Sequence, residues 1–227
     1  MLNLSKESNA YYENVDYYEI FSQAEDANNQ VLQYLVEKTK DKIVLDAGCG
    51  SGKYLPFVSL NCKQYYGVDL STNQLALASK KINTENVKLY CCNLKQIPLP
   101  NHSIDIIYAS WVLGTILDLD ERLKVLQEFH RVLKPNGAII LIENAENSEF
   151  EKIRNRDKDN RTIEYNNWIL NQGFCIISNI KDYFHFKDIN EAKKTFETIY
   201  GNEVASKIKR NKIEHNIIIF QKNIGMC

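Results

Sequence analysis

The 227-residue sequence predicts an α/β protein with a doubly wound, mostly parallel sheet and helices on both faces. Two patterns lead to this prediction: short apolar runs that end in turn residues, and stretches of helical spacing between them. Strands that alternate with helices are joined by right-handed crossovers, which place parallel strands side by side. The first five apolar runs are Ile43–Leu45, Tyr65–Val68, Val87–Tyr90, Ile104–Tyr108 and Ala138–Ile142.

Helical spacing in the first two thirds of the chain covers four stretches: Asp26–Lys40, Tyr54–Leu60, Thr72–Lys81 and Arg122–Leu133. Ser71 is the expected N-cap of the third helix, because its hydroxyl can accept a hydrogen bond from the first turn. Lys134–Gly137 reads KPNG and is expected to be a turn that ends the fourth helix. Proline cannot continue the helical hydrogen-bond ladder, and glycine tolerates a positive φ.

The pattern changes after Ile142. A predicted helix over Thr162–Asn171 is followed by an alternating, strand-like stretch, Phe174–Phe186. A helical segment over Glu191–Lys209 then leads to a final apolar strand, His215–Phe220. Two late strands with a helix between them predict an antiparallel finish to the parallel sheet, which is common in doubly wound folds.

Composition indicates a globular protein without a membrane span or a metal site. The chain is 44% hydrophobic and 25% charged, and no apolar run approaches the roughly 18–20 residues of a spanning helix. The N-terminus lacks the basic-then-apolar layout of a secretory signal, so a cytoplasmic location is expected. Six cysteines form no CxxC pair, and no histidine cluster has metal-ligand spacing.

The charge distribution favours a small-molecule partner over a nucleic acid. The net charge of −1 is unlike that of a protein built to coat phosphate backbones. The charge is uneven: residues 1–150 carry 14 Lys and Arg against 19 Asp and Glu, or −5, and residues 151–227 carry 14 against 10, or +4. The basic C-terminal third therefore keeps an RNA substrate open as an alternative.

A glycine-rich turn follows the first predicted strand. Val44–Gly52 reads VLDAGCGSG, with an aspartate two residues before the first of three alternating glycines. Glycines in a strand-to-helix turn let a ligand approach backbone N–H groups, and the following helix presents its positive end. The spacing is GxGxG, whereas dinucleotide enzymes have GxGxxG.

Polar residues at three later strand ends complete a predicted site. Asp69 ends the second strand, where a carboxylate can accept hydrogen bonds from both hydroxyls of a ribose. Asn93 follows the third strand, and its amide can both donate to and accept from an adenine edge. Ser110 ends the fourth. Because the carboxyl ends of parallel strands open onto one crevice, these residues and the glycine loop are expected to meet.

Four motifs in residues 40–145 carry a family resemblance: VLDAGCGSG, YYGVDLS, NLKQIPLPNHSIDIIYASWVL and LKPNGAIILIE. In combination they resemble the class I S-adenosylmethionine-dependent methyltransferase superfamily, and most closely its UbiE-like, small-molecule branch. The resemblance implies a Rossmann-like, seven-stranded mixed sheet with an antiparallel last strand. It also implies one methyltransferase domain over 1–227, with an N-terminal helical lid (1–40), a cofactor-binding half (41–145) and a substrate-side half (146–227).

The same resemblance implies S-adenosylmethionine as cofactor, S-adenosylhomocysteine as product, and a set of cofactor-binding residues. Leu94 would add a backbone contact beside Asn93, which stands where the family commonly has aspartate. Gly114 and Thr115 stand where many members have a histidine pair, so no catalytic base is predicted. The implied cofactor-binding residues are Asp46, Gly48, Cys49, Gly50 and Gly52 at the methionine part, Asp69 at the ribose, Leu70, Asn93 and Leu94 at the adenine, and Ser110 near the methionine end.

The acceptor side is less defined by the sequence. Tyr12 and Tyr18 belong to an aromatic cluster before the first core helix, in a segment that folds over the cofactor in similar enzymes. Trp111 and Glu143 follow or end predicted strands on the same side of the sheet, and all four are candidate substrate residues. The expected pocket for a small metabolite is polar and aromatic, with Trp168, Tyr183, Phe184 and Phe186 nearby.

The predicted activity is therefore methyl transfer from S-adenosylmethionine to a small molecule. An RNA or tRNA methyltransferase and a cofactor-binding regulatory protein without catalysis remain alternatives. The identity of the methyl acceptor and the oligomeric state do not follow from the sequence.

Overall fold

A computed structural model describes residues 6–225, so residues 1–5 of the predicted lid and residues 226–227 lie outside the described part. The strands are β1 (Ile43–Ala47), β2 (Gln64–Asp69), β3 (Val87–Cys91), β4 (Ile104–Ser110), β5 (Leu133–Asn144), β6 (Cys175–His185) and β7 (Lys212–Asn223). The α-helices are α1 (Lys6–Glu13), α2 (Val15–Ala24), α3 (Gln30–Thr39), α4 (Leu55–Val58), α5 (Thr72–Ser79), α6 (Leu119–Val132), α7 (Glu149–Ile153), α8 (Arg161–Asn171), α9 (Ile189–Tyr200) and α10 (Asn202–Ser206).

These strands form a seven-stranded mixed sheet with the order β3-β2-β1-β4-β5-β7-β6. The pairs β1–β2, β1–β4, β2–β3 and β4–β5 are parallel, and the β5-β7-β6 portion is antiparallel. The Rossmann-like fold class predicted from the sequence is confirmed. The strand order reverses once between β1 and β4, and such a switch point creates the crevice at which sheets of this kind bind ligands.

The central strands are apolar on both faces. Val44 and Leu45 of β1, and Ile139 and Ile140 of β5, are fully buried. Consecutive buried residues on a strand occur where helices cover both faces of a parallel sheet, so the pattern needs no alternation of polar and apolar residues. All five apolar runs predicted in the first two thirds of the chain lie inside observed strands.

Local interactions set the helix boundaries, and not all were foreseen. The hydroxyl of Ser71 accepts a hydrogen bond from the backbone N–H of Gln74 at 3.2 Å, so the predicted N-cap of α5 is confirmed. The helix predicted from Asp26 begins only at Gln30. Asp26 and Asn29 have φ values of 56° and 57°, which the right-handed helix does not allow.

The expected turn at Lys134–Gly137 was wrong in form. Helix α6 ends at Val132 and the chain passes directly into β5, where residues 134–137 bulge out opposite Asp105. Gly137 has no positive φ. It is required for space, because a Cβ there would lie 2.8 Å from the carbonyl oxygen of Asp105.

The prediction of a single helix over Glu191–Lys209 was also wrong. Gly201, with a φ of 86°, breaks it into α9 and α10. Glycine adopts this left-handed conformation without the steric penalty of a Cβ, and it commonly ends a helix.

The described chain divides into two compact units. The first comprises Val31–Ile142 with residues 221–225, and the second comprises residues 6–30 with Glu143–Phe220. An aromatic cluster forms the core of the second unit: Phe21, Phe150, Phe184, Phe186 and Phe196. Phe184 and Phe186, expected near a substrate pocket, are core residues with at most 2% exposure. Within residues 6–225, no helix is long and apolar enough to cross a membrane.

Candidate functional site

The glycine loop between β1 and α4 wraps around the end of β2. The backbone N–H groups of Gly48 and Cys49 both donate to the carbonyl of Val68, at 2.8 and 3.0 Å. Gly48, Gly50 and Gly52 all have positive φ, at 79°, 53° and 76°. Three such residues within five positions produce a tight loop that only glycine forms without strain.

Two of the glycines, Gly48 and Gly52, also leave no room for a side chain. A Cβ on Gly48 would lie 2.5 Å from Cγ2 of Val112, and one on Gly52 would lie 3.1 Å from Cβ of Ala78. The helix that follows, α4, has only four residues, so it is shorter than the predicted Tyr54–Leu60. A four-residue helix contributes little macrodipole, and the N–H groups of Gly48, Cys49, Gly50 and Gly52 already donate to acceptors within the protein. These four positions therefore give the loop its tight shape and do not offer free N–H donors.

Asp69 joins the end of β2 to this loop. Its Oδ2 accepts a hydrogen bond from the N–H of Gly50 at 2.9 Å, and its Oδ1 accepts one from Ser71 at 2.9 Å. Burial raises the pKa of Asp69, while these backbone N–H donors lower it. Each oxygen has a further lone pair, so the carboxylate can still accept a pair of ligand hydroxyls.

Asp46, on β1 directly below the loop, is held by two tyrosines. The hydroxyls of Tyr65 and Tyr108 both donate to its Oδ2, at 2.6 and 2.8 Å. Burial raises the pKa of Asp46 to about 7, the two hydroxyls lower it, and the nearby charge of Asp69 raises it. From the sequence, both tyrosines were predicted only as strand residues. The one feature that could have indicated their role is a tyrosine on each of the two strands that flank β1.

Cys49 lies inside the loop, and its environment makes it a packing residue. The side chain is 7% exposed, and burial together with the charges of Asp46 and Asp69 raises the pKa of its thiol well above the usual value. The thiol is therefore protonated at neutral pH, unlike the low-pKa thiolates that act as nucleophiles.

The residues after β3 form a second polar edge. Asn93 accepts a hydrogen bond from the N–H of Lys95 through its side-chain oxygen at 3.0 Å, which leaves its amide NH2 group as the donor it could offer a ligand. Leu94 is buried at 5% exposure. Leu70, at the end of β2, is 37% exposed and offers an apolar surface.

Two side chains of α6 hold the segment that follows Asn93. Glu128 accepts a hydrogen bond from the N–H of Ile97 at 2.6 Å. Arg131 donates to the carbonyls of Ile97 and Leu99 at 2.9 and 3.0 Å and to the side chain of Asn101 at 2.7 Å. We call Glu128 and Arg131 the clamp; it was not predicted from the sequence. A groove of about 590 Å³ adjoins it, lined by Cys91, Cys92, Gln96, Ile97, Pro98, Leu99, Glu128 and Arg131.

The end of β4 supplies Ser110 and Trp111. The hydroxyl oxygen of Ser110 is buried and has no hydrogen-bond partner among the described residues. Trp111 has a φ of 56°, and its backbone N–H donates to the backbone carbonyl of Ile142 at 2.8 Å. The ammonium of Lys53 lies 5.6 Å from the centre of the indole ring. A left-handed tryptophan is a strained feature of the kind that accumulates at functional sites.

The structure thus places the predicted cofactor residues at the carboxyl ends of neighbouring strands of the first unit, with one direct hydrogen bond linking Asp69 to Gly50 of the loop. The other three candidate substrate residues lie in the second unit. Tyr12 and Tyr18 are half-buried on α1 and α2. Glu143 is buried at the end of β5 and accepts a hydrogen bond from the hydroxyl of Tyr165 at 2.7 Å. In the part of the chain that the structure covers, no cluster of three metal-ligating side chains occurs.

Comparison with known proteins matches the first unit to a family. Residues 45–141 fit the model of a family described as a methyltransferase domain. Malonyl-[acyl-carrier protein] O-methyltransferase of Marinomonas sp. is 33% identical over 101 residues, which are 43% of this chain and 36% of that protein. Demethylmenaquinone methyltransferase of Geobacillus kaustophilus is 31% identical over 117 residues, 49% of each. The chain thus spans between about a third and a half of these two relatives.

Similarity at lower identity extends along the whole chain. Malonyl-[acyl-carrier protein] O-methyltransferase of Buchnera aphidicola is 26% identical over 99% of this chain and 89% of its own length. The crystal structure of the YcgJ protein from Bacillus subtilis superposes with a TM-score of 0.60 at 19% identity, over 85% of this chain and 97% of the other. This structural likeness shows a shared fold.

Proposed function

We propose that the protein is a class I S-adenosylmethionine-dependent methyltransferase that transfers a methyl group to a small-molecule acceptor, because residues 45–141 match the model of a methyltransferase domain. One observation carries the proposal: the GxGxG loop, with three glycines at positive φ, is hydrogen-bonded through Gly50 to the carboxylate of Asp69. This arrangement puts the tight loop and a candidate ribose acceptor beside each other.

The described residues fit the cofactor. The loop can pack against Val112 and Ala78 only because Gly48 and Gly52 lack side chains, and the buried hydroxyl of Ser110 has no hydrogen-bond partner among the described residues. We assign the methionine part to Asp46, Gly48, Cys49, Gly50 and Gly52, with Ser110 beside it. We assign the ribose to Asp69 and the adenine to Leu70, Asn93 and Leu94.

The sulfonium of the cofactor, when bound, supplies an electrophilic methyl group. The protein then contributes binding, orientation and exclusion of water. Orientation in the best intramolecular systems lowers a barrier by roughly 7–11 kcal/mol, so a site of this kind can work without a general base. We assign no catalytic base, because an acceptor that arrives deprotonated needs none.

The acceptor side is part of the same proposal. Trp111 is proposed to line the acceptor space of the first unit, because its strained backbone turns the indole at the end of β4. Tyr12, Tyr18 and Glu143 are further candidate acceptor contacts. The two relatives are named for malonyl-[acyl-carrier protein] and for demethylmenaquinone, and neither is named for a nucleic acid, which supports a small acceptor for this protein.

The proposal also covers the organisation and the location of the chain. We propose that residues 1–227 act as one methyltransferase domain, with a lid (1–40), a cofactor-binding half (41–145) and a substrate-side half (146–227). We propose a cytoplasmic location, because the five described cysteines are free thiols, as is usual in a reducing compartment.

A transfer assay tests the proposal. The purified full chain is incubated with S-adenosylmethionine labelled on its methyl group and with a panel of carboxylate, quinone and amine metabolites, malonyl thioesters included. We expect label in at least one small molecule and none in total tRNA. Label in tRNA alone would establish an RNA methyltransferase, and cofactor binding without transfer to any acceptor would indicate a regulatory protein.

A further inference from the structure

Asp46 and the two tyrosines that bind it form a buried triad in the first unit. We propose that Tyr65 and Tyr108 are positioning residues for the cofactor: by occupying Oδ2 of Asp46 with both hydroxyls, they direct its Oδ1 to the ammonium group of the methionine part. This inference rests on the proposed function, which places the methionine part at the glycine loop.

The geometry comes from three adjacent strands. Asp46 lies on β1, between Tyr65 on β2 and Tyr108 on β4, and its Cα pairs directly with that of Tyr108. The hydroxyls therefore arrive from opposite sides of the central strand and meet at the same oxygen, at 2.6 and 2.8 Å. The structure gives Oδ1 no hydrogen-bond partner among the described residues, so this oxygen is the one left for a ligand.

Burial makes this arrangement rigid. Both tyrosine side chains are completely buried, and Asp46 is 4% exposed. Packed rings cannot change rotamer without opening the core, so the two donors are held in place. A carboxylate held at one oxygen by two such donors is fixed in orientation before any ligand binds, which lowers the entropic cost of binding.

Four titratable groups face Asp46: Tyr65, Tyr108, Asp69 and Cys49. Burial raises the pKa of both tyrosines and of the Cys49 thiol well above their usual values, so all three remain neutral at neutral pH. The two hydroxyls lower the pKa of Asp46 against the effect of burial, and its value of about 7 is their joint result. Removal of either hydroxyl leaves the Asp46 carboxylate harder to ionise.

The test compares Tyr65→Phe and Tyr108→Phe with Tyr34→Phe. Tyr34 also donates its hydroxyl to a side-chain acceptor of the first unit, Gln221, at 2.9 Å, but this bond does not involve the glycine loop. Calorimetric titrations with S-adenosylhomocysteine are run between pH 6.0 and 8.5. The same titrations with methylthioadenosine, which lacks the amino acid part, report on the nucleoside site alone.

We expect the wild-type affinity for S-adenosylhomocysteine to rise with pH through a midpoint near 7. In the Tyr65 and Tyr108 variants, this midpoint moves to higher pH and the affinity at pH 7 falls about tenfold, the typical effect of one hydrogen bond to a charged group. The affinity for methylthioadenosine stays constant in both, and Tyr34→Phe behaves as wild type. A merely structural role of the hydroxyls would weaken both ligands and leave the midpoint in place.

An unmoved midpoint in both tyrosine variants, with S-adenosylhomocysteine still bound, would overturn this inference alone. Wild-type protein that binds neither ligand would overturn the proposed function with it. Should the tyrosine variants fail to fold, Asp46→Asn serves as the second test. It is expected to bind S-adenosylhomocysteine weakly and without pH dependence, and a wild-type pH profile in that variant would also overturn the inference.

Discussion

Asp46 carries a buried carboxyl group whose ionisation opposes folding. Its pKa in the folded protein is about 7, above the ordinary value of 3.8. A raised carboxyl pKa means that the folded state holds the proton more tightly than the unfolded chain. The favourable contribution is therefore present below the unfolded pKa and is lost as the pH rises through about 7.

Asp46→Asn should remove this dependence. We measure the free energy of unfolding with urea in the absence of cofactor. Between pH 5 and pH 8, we expect it to fall by about 2 kcal/mol more in the wild type than in the variant. Asparagine retains an oxygen that can accept the tyrosine hydroxyls, so packing is preserved. If the difference in unfolding free energy between the two proteins stays constant with pH, the raised pKa of the buried Asp46 carboxyl is contradicted.

Gly48 offers a test of the loop at the level of one atom. Gly48→Ala adds a Cβ at 2.5 Å from Val112 and at a φ of 79°, whereas Gly201→Ala adds one at a similarly positive φ of 86° with no atom within 4 Å. We expect Gly48→Ala to be less stable than Gly201→Ala by about 1–3 kcal/mol in thermal unfolding, because overpacking is added to strain. Equal losses of stability in Gly48→Ala and Gly201→Ala would show that the Val112 side chain moves to accommodate the added Cβ. Restoration of stability in Gly48→Ala/Val112→Ala would confirm the contact.

The glycine loop and Asp69 were predictable from the sequence because their spacing is local and characteristic. Tyr65 and Tyr108 were not, because their roles depend on the lateral order of β2, β1 and β4. A strand sequence shows which faces are buried, but it does not show which neighbour a hydroxyl will meet. The bond from Gly50 to Asp69 was missed for the same reason.

At the level of elements, α6 controls the segment after β3. Arg131→Met removes the hydrogen bonds to Ile97, Leu99 and Asn101, and we expect it to weaken binding of S-adenosylhomocysteine by about 1–2 kcal/mol. We also expect a smaller preference for that ligand over S-inosylhomocysteine, because the segment carries the proposed adenine contacts.

Lys124→Met is the matched control on the same helix. Among residues 6–225, Lys124 pairs only with Glu121, and its own side chain is 56% exposed, so the ion pair contributes little. The control is expected to bind both ligands as wild type does. Unchanged binding and unchanged base preference in Arg131→Met would restrict the clamp to a role in stability.

The elements were predictable where one local signal dominates. Buried apolar runs located the strands, and the Ser71 cap located the start of α5. The predictions failed where a distant contact or a single backbone angle decides. Lys134–Gly137 has the composition of a turn, but pairing with β4 draws it into β5 as a bulge. Gly201 divides a continuous helical pattern because its backbone is left-handed.

At the scale of the whole molecule, the second unit depends on its aromatic core. Phe184 is fully buried and packs against Phe21 and Phe150, with ring centres 4.8 and 4.7 Å apart. We expect Phe184→Ala to lower the free energy of unfolding by about 3–5 kcal/mol. Ile177→Ala on β6 is the control, because Ile177 is 48% exposed and its truncation should cost little. A small loss of unfolding free energy in Phe184→Ala would contradict the core role and would favour the pocket-lining role that the sequence predicted for Phe184.

The central claim is that the GxGxG loop and Asp69 bind the cofactor of a methyltransferase. It is tested most directly by calorimetric titration of S-adenosylhomocysteine into the full chain and into Asp69→Ala, with NAD as the competing ligand. The expected result is binding of S-adenosylhomocysteine but not NAD, weakened by about 1–3 kcal/mol in the variant through loss of the ribose acceptor. Tight binding of NAD with none of S-adenosylhomocysteine, or equal affinity in Asp69→Ala and wild type, would contradict it.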